Sequence, residues 1–236
     1  MSSARVSCEW GADGIAHLID DTDVFVIIDV LSFTTSVDIA VSRGAVVYPY
    51  GWNDLTSIEF AARVGATLSV SSRTPGYSLS PASLVEIPGG TKLVLPSPNG
   101  STLSLQTGNI PTLAGCIRNA RAVARAAMKI GERISVIAGG ERWKGGGVRV
   151  AIEDWLGAGA VIAALEGELS IEAELARSLF LSTQERIFHC LEKSFSGQEL
   201  IQRGRAFDVA LAADANCSSS VPILRDSAFI EGSASF

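Results

Sequence analysis

Residues 24–29 (VFVIID) form an unbroken apolar run, rich in β-branched side chains, that ends on an acid. A run without polar alternation suits a strand covered on both faces, the condition of a parallel sheet between two helical layers. The same pattern places Asp29 at the strand's carboxyl end, where open α/β sheets bind ligands. Helical spacing follows at 34–43, closed by Gly44, then strand signals at 45–48, helix at 54–64 closed by Gly65, and strand at 67–70. Further strands are predicted at 92–95, 111–114 and 133–138, with helices at 101–106 and 118–130 between them. From Glu153 the chain reads as helical over 153–165, 170–180, 184–191 and 196–204, with a late strand at 221–224. The expected fold is a layered α/β/α arrangement: a largely parallel sheet with helices on both faces. It is expected as one domain over residues 1–236, allowing for a smaller helical subregion from about residue 153.

The 47% hydrophobic content supplies ample core, and the formal net charge of -6 argues against a nucleic-acid partner, which would need clustered Lys and Arg. The opening MSSARVSCEW lacks a secretory signal, and the apolar stretches 24–31 and 158–165 fall short of the ~20 residues of a membrane helix. A cytoplasmic protein without a membrane partner is expected. Cys8, Cys116, Cys190 and Cys217 are scattered without a CxxC pair, so free thiols are expected. The mean hydropathy of +0.30 is high for a monomer, and a homo-oligomer, a dimer, is expected.

Four segments offer chemistry. Asp29 is followed by Ser32, Thr34, Thr35 and Ser36 at a helix entrance, where unpaired N–H groups and hydroxyls suit an anion and the carboxylate suits Mg²⁺. An N-cap role explains one of these hydroxyls but not an acid with four. A nucleophilic Asp29 is the alternative, although Leu31 stands where a DxD pair needs its second acid. Asn99, Gly100 and Ser101 read first as a turn and second as another anion-binding wall. Arg118 and Asn119 follow a strand; the Arg118 fork suits phosphate, carboxylate or sulfonate, or a surface ion pair. Glu141 and Arg142 follow a strand within the loop 139–149, whose five glycines suggest mobility, and Glu141 could ligate metal or act as general base. Glu153 and Asp154 are ordinary first-turn acids that satisfy a helix dipole.

Other motifs are set aside. Gly157-Ala158-Gly159 lies within a helical pattern and has Ile162 in place of a third glycine, so NAD is not expected. P-loop, GxSxG and HExxH motifs are absent, and neither His17 nor His189 stands beside a candidate nucleophile.

The pieces VIIDVLSFTTSV, RGAVVYPY, LVLPSPNGSTLS, GCIRNARAVA, VIAGGERW, AIEDWLGAGAVIAAL, SGQELIQRG, DVALAAD and VPIL together resemble the 2-phosphosulfolactate phosphatase family, in particular an actinobacterial-type branch. The resemblance implies a Mg²⁺-dependent phosphomonoesterase acting on 2-phospho-3-sulfolactate or a related small phosphorylated acid, of the kind used in coenzyme M biosynthesis. It carries the family's strand-end acid onto Asp29, its hydroxyls onto Thr34 and Thr35, and its Asn-Gly-Thr turn onto Asn99, Gly100 and Ser101. The Gly-Glu pair falls on Gly140 and Glu141, and the Glu-Asp helix start on Glu153 and Asp154. Asp29, Glu141, Glu153 and Asp154 are then the expected metal set. Asp29 and Glu141 would be catalytic, with Ser32, Thr34, Thr35, Arg73, Asn99, Gly100, Ser101, Arg118 and Asn119 around the substrate. Ser32 stands where the family usually has Arg and Phe33 where it has Ala; Arg73 is a candidate source of the replaced charge.

Overall fold

The computed structural model describes residues 5–71, 74–143 and 145–232. In chain order the elements begin β1 (Arg5–Trp10), α1 (Gly11–Leu18), β2 (Val24–Ile28), α2 (Phe33–Ser42), β3 (Val46–Tyr50), α3 (Leu55–Val64) and β4 (Thr67–Leu68). They continue β5 (Lys92–Pro96), α4 (Gly100–Gln106), β6 (Thr112–Gly115), α5 (Ala120–Ile130), β7 (Arg133–Ala138), β8 (Glu141–Arg142), β9 (Val148–Arg149) and α6 (Ile152–Ile162). The last third comprises β10 (Glu168–Leu169), α7 (Ile171–Thr183), α8 (Ile187–Lys193), α9 (Phe195–Gln202), α10 (Ala206–Ala213), β11 (Pro222–Arg225) and β12 (Ala228–Glu231).

Ten strands form one sheet in the order β10-β1-β7-β2-β6-β11-β12-β3-β5-β4. The fold is α/β with a largely parallel sheet, as its sequence suggests. The exception is the hairpin β11–β12, which is antiparallel to β6 on one side and to β3 on the other. It joins two parallel blocks through single register pairs, Ile223 with Leu113 and Phe229 with Val47. Three antiparallel steps reverse the formal direction of β3, β5 and β4 relative to β2. The late strand expected at 221–224 is therefore half of a hairpin. Its turn, Asp226–Ser227, has positive φ at both residues without the usual glycine, and so leaves no turn signal in the sequence.

Every residue of β2 is buried, and its alternate side chains feed two cores. Val24, Val26 and Ile28 join the large core beneath α5 and α6, whereas Phe25 and Ile27 pack with Ile15 of α1 and Leu103 of α4 on the other face. A third cluster gathers Phe33 and Val37 of α2 with Val47, Leu93, Leu95 and Phe229. Leu84 and Ile87 belong to it, so the Ser-, Pro- and Gly-rich stretch 71–88, whose composition reads as a functional loop or a short subdomain cover, contributes core at its end. β1 and α1 escape sequence reading because only Val6 and Cys8 alternate inward and the helix is short. The glycine-rich segment 139–149 holds the small antiparallel hairpin β8–β9, apart from the main sheet. Among the described residues no helix is long and apolar enough to cross a membrane.

Gly157 and Gly159, set aside as a dinucleotide signal, are packing residues. A Cβ at Gly157 would stand 2.5 Å from Val30 Cγ2, and one at Gly159 would overlap the Ala176 carbonyl oxygen of α7. In an isolated helix Gly→Ala gains up to ~1 kcal/mol, whereas overpacking costs ~1–3 kcal/mol. Gly159→Ala is thus expected to lower the urea midpoint, while Gly145→Ala, with nothing within 4 Å, should shift stability by less than ~0.5 kcal/mol.

Candidate active site

The loops that leave β2, β5 and β7 meet, although β5 runs formally opposite to β2. Asp29 lies just beyond β2, and its Oδ2 accepts the Gly100 N–H at 2.7 Å from the first residue of α4. Its Oδ1 accepts the Phe33 N–H at 3.3 Å, the first residue of α2, and the Ser97 hydroxyl donates to Oδ2 at 3.4 Å. One carboxylate thus receives the leading amides of two helices, satisfying donors that would otherwise be orphaned. Gly100 is required by this approach: a Cβ there would overlap the Phe33 ring and stand 2.7 Å from Asp29 Oδ2.

The hydroxyls around Asp29 are used to shape the backbone. Thr34 Oγ1 donates to the Asp29 carbonyl at 2.9 Å and accepts the Asp29 N–H at 3.1 Å. Thr35 Oγ1 donates to the Val30 carbonyl at 2.8 Å, and Ser101 Oγ to the Leu95 carbonyl at 2.8 Å. Ser32 occupies the N-cap position of α2 without a side-chain cap bond, and is buried.

Asp154 makes a second bridge of the same kind from the first turn of α6. Its Oδ1 accepts the Val30 N–H at 2.7 Å and its Oδ2 the Gly140 N–H at 2.8 Å, tying the loops after β2 and β7 together. Beside it, Glu153 is 2% exposed, and its Oε2 is a buried side-chain atom with no hydrogen-bond partner. Glu141, half-buried on β8, accepts the Asn99 Nδ2–H at 3.0 Å on Oε2. Asn99 and Glu141 line a cavity of about 210 Å³ with Gly11, Asp13, Arg142 and Val148.

Burial, then the charge of Glu141, pushes the Asp29 carboxyl up to about 6, against the pull of the Gly100 and Phe33 amides. Burial raises Asp154 well above the usual carboxylate range, with Asp29 and Glu153 adding to the shift. Glu141 is also raised, first by burial, with the Asn99 bond and the Arg149 charge opposing. Mutually repelling carboxylates with an orphaned Glu153 oxygen have the chemistry of a hard-cation donor set. Among the described residues, no three His, Cys, Asp or Glu side chains stand together as a formed metal site.

Other residues expected at the site are occupied elsewhere. Arg118 pairs with Asp38 at 2.9 Å and donates to the Leu211 carbonyl at 2.9 Å. Asn119 closes its own turn, accepting the Cys116 N–H at 2.8 Å and donating to the Ala114 carbonyl at 3.2 Å. Arg73 lies outside the described residues. Sequence reasoning missed Ser97, the start of α1 and Arg149; only the strand-to-helix position of Ser97 carried a signal.

The raised carboxyl of Asp29 fixes the sign of a pH effect. Between the ordinary 3.8 and about 6 the folded chain holds more protons at this group than the unfolded chain, so stability declines as pH rises through that window. In EDTA, the urea midpoint of the wild type is expected to fall from pH 4 to pH 7. Asp29→Asn should remove a part of that fall on the order of 2–3 kcal/mol.

A family model described as 2-phosphosulpholactate phosphatase matches residues 14–227. The 2-phosphosulfolactate phosphatase of Methanothermobacter thermautotrophicus is 32% identical over 154 residues, covering 64% of this chain and 64% of that protein. The chain thus spans just under two thirds of that relative. A probable 2-phosphosulfolactate phosphatase of Carboxydothermus hydrogenoformans is 32% identical over 217 residues, covering 84% of each chain. A probable 2-phosphosulfolactate phosphatase of Pseudothermotoga lettingae is 24% identical over 141 residues, covering 59% of this chain and 60% of that protein. With nearly its whole length matched by the family model, this chain belongs to the 2-phosphosulpholactate phosphatase family.

Proposed function

We propose that the chain is a Mg²⁺-dependent phosphoric monoester hydrolase acting on 2-phosphosulfolactate or a closely related phosphorylated hydroxy acid. The observation that carries this reading is the pair of buried carboxylates, Asp29 and Asp154, that tie the loops after β2, β5 and β7 together beside the cavity-lining Glu141, with one buried oxygen of Glu153 unpartnered. Family membership and the names of the relatives support the reaction class.

Glu141, Glu153 and Asp29 are the residues that would hold the ion. When bound, Mg²⁺ would polarise the phosphoryl oxygens and acidify an attacking water. Asp154, like Asp29, has both oxygens accepting backbone amides, and it fixes the loops that carry Asp29 and Glu141. Thr34, Thr35 and Ser101 serve in the same way, holding the backbone around Asp29. Glu141 faces the cavity with a raised carboxyl and an Asn99 donor, which suits it to receive a proton from water. Asn99, held by that carboxylate, keeps the acceptor oriented.

The test is release of inorganic phosphate from 2-phosphosulfolactate and a panel of phosphorylated hydroxy acids, with Mg²⁺ and with EDTA. Activity that requires Mg²⁺ and falls ~100- to 10,000-fold in Asp29→Asn, with the fold intact by circular dichroism, is expected. Equal release in EDTA would remove the metal from this reading. Ligand binding without turnover would make the chain a binding protein.

A further inference from the structure

The hairpin β8–β9 brings a cation beside the acids. Its register pairs Glu141 with Arg149, so the two side chains leave the same face of the hairpin, with Cβ atoms typically ~5 Å apart. Glu141 lines the cavity together with Arg142, Gly146, Gly147 and Val148 of the same hairpin, and Arg149 stands next to Glu141 just outside that lining. Arg149 is half-buried and held from behind by the first residues of α9. Its guanidinium lies 4.6 Å from the centre of the Phe195 ring, and its Nη2 donates to Ser196 Oγ at 3.2 Å. Ser196 is itself buried, while the neighbouring Ser194 caps α9 by accepting the Gly197 N–H at 3.0 Å, so the support is rigid.

A guanidinium has five N–H donors, and the ring and the hydroxyl leave most of its fork open. Among the described residues Arg149 enters no ion pair, unlike Arg118, whose charge Asp38 takes up. A planar fork oriented by an aromatic face, with the Glu141 charge nearby but no carboxylate in ion-pair contact, is suited to bidentate contact with a planar or tetrahedral oxyanion. Glu141 lies within electrostatic reach of both Arg149 and Glu153, which puts Arg149 beside the acids.

We infer that Arg149, braced by Phe195 and Ser196, is a specificity-determining residue that grips a second acid group, carboxylate or sulfonate, on the carbon skeleton of the phosphate ester. The inference rests on the phosphatase reading of the site for its assignment of the reacting end, and it makes the C-terminal helices part of substrate recognition. It also adds a second cation to Arg142 of the cavity lining, where Ser32 and the distant Arg118 provide none.

The experiment compares Arg149→Gln and Arg149→Lys with the wild type on two esters: 2-phosphosulfolactate, and p-nitrophenyl phosphate, which carries no second acid. Loss of a charge-assisted contact is expected to lower kcat/KM for the first ester ~10- to 100-fold more than for the second, chiefly through KM, while the loss of the Arg149 charge beside Glu141 acts on both esters alike and cancels in that ratio. Arg149→Lys should recover only part of the loss, because charge returns without the fork. An equal loss on both esters, or no loss on either, would overturn the assignment. Calorimetry with sulfolactate, the dephosphorylated acid, separates this inference from the phosphatase reading. If the wild type hydrolyses no ester but binds sulfolactate ~10-fold or more tightly than Arg149→Gln does, the phosphatase reading fails and the Arg149 assignment stands. Sulfolactate binding indifferent to Arg149, or no binding by the wild type, would overturn the assignment even if turnover were found. Unchanged thermal midpoints in both variants are expected; a large drop in Arg149→Lys as well as Arg149→Gln, with matching losses on both esters, would mark the residue as structural and also overturn it.

Discussion

A buried carboxylate between two helix starts holds this molecule's centre together. Burying an ionised acid is unfavourable unless hydrogen bonds replace its water, and Asp29 finds them in the leading amides of α2 and α4. Those helices follow strands from the two oppositely directed blocks of the sheet, so the carboxylate links halves that share only the β11–β12 hairpin in the sheet itself. Asp154 repeats the device between the loops after β2 and β7. The consequence is electrostatic: burial raises each of these carboxyl groups, Glu141 adds to the shift of Asp29, and Asp29 and Glu153 add to that of Asp154. A centre built in this way is poised for positive charge.

Much of this was legible where one residue type answers one physical demand. The VFVIID run announces a strand with both faces covered, and Phe25 and Ile27 do turn to one core while Val24, Val26 and Ile28 turn to another. Elements with weak patterning were not legible. β1 places only two side chains inward, and β12 is reached through a turn whose positive φ angles fall on Asp226 and Ser227.

Residue types at the junctions were visible, but not the atoms they would meet. Thr34, Thr35 and Ser101 read as donors for an anion, yet their hydroxyls donate to main-chain carbonyls five or six residues earlier. Arg118 meets Asp38, 80 positions away in the chain, a pairing that no local pattern encodes. Asp154 read as an ordinary first-turn acid and, by the resemblance, as a metal ligand; its role as a clamp depends on where Val30 and Gly140 come to lie. Arg149 gave no signal because its bracing by Phe195 and Ser196 comes from a helix that begins 46 positions later.

The centre is tested most directly by calorimetric titration of the metal-free chain with Mg²⁺ near neutral pH, followed by the same titration of Glu153→Gln and Asp29→Asn. One ion per chain is expected, with affinity weakened ~10-fold or more in each variant, since each removes a charged oxygen donor. Binding of the same stoichiometry and strength in all three proteins would contradict a shared carboxylate centre, as would the absence of any ion bound to the wild type.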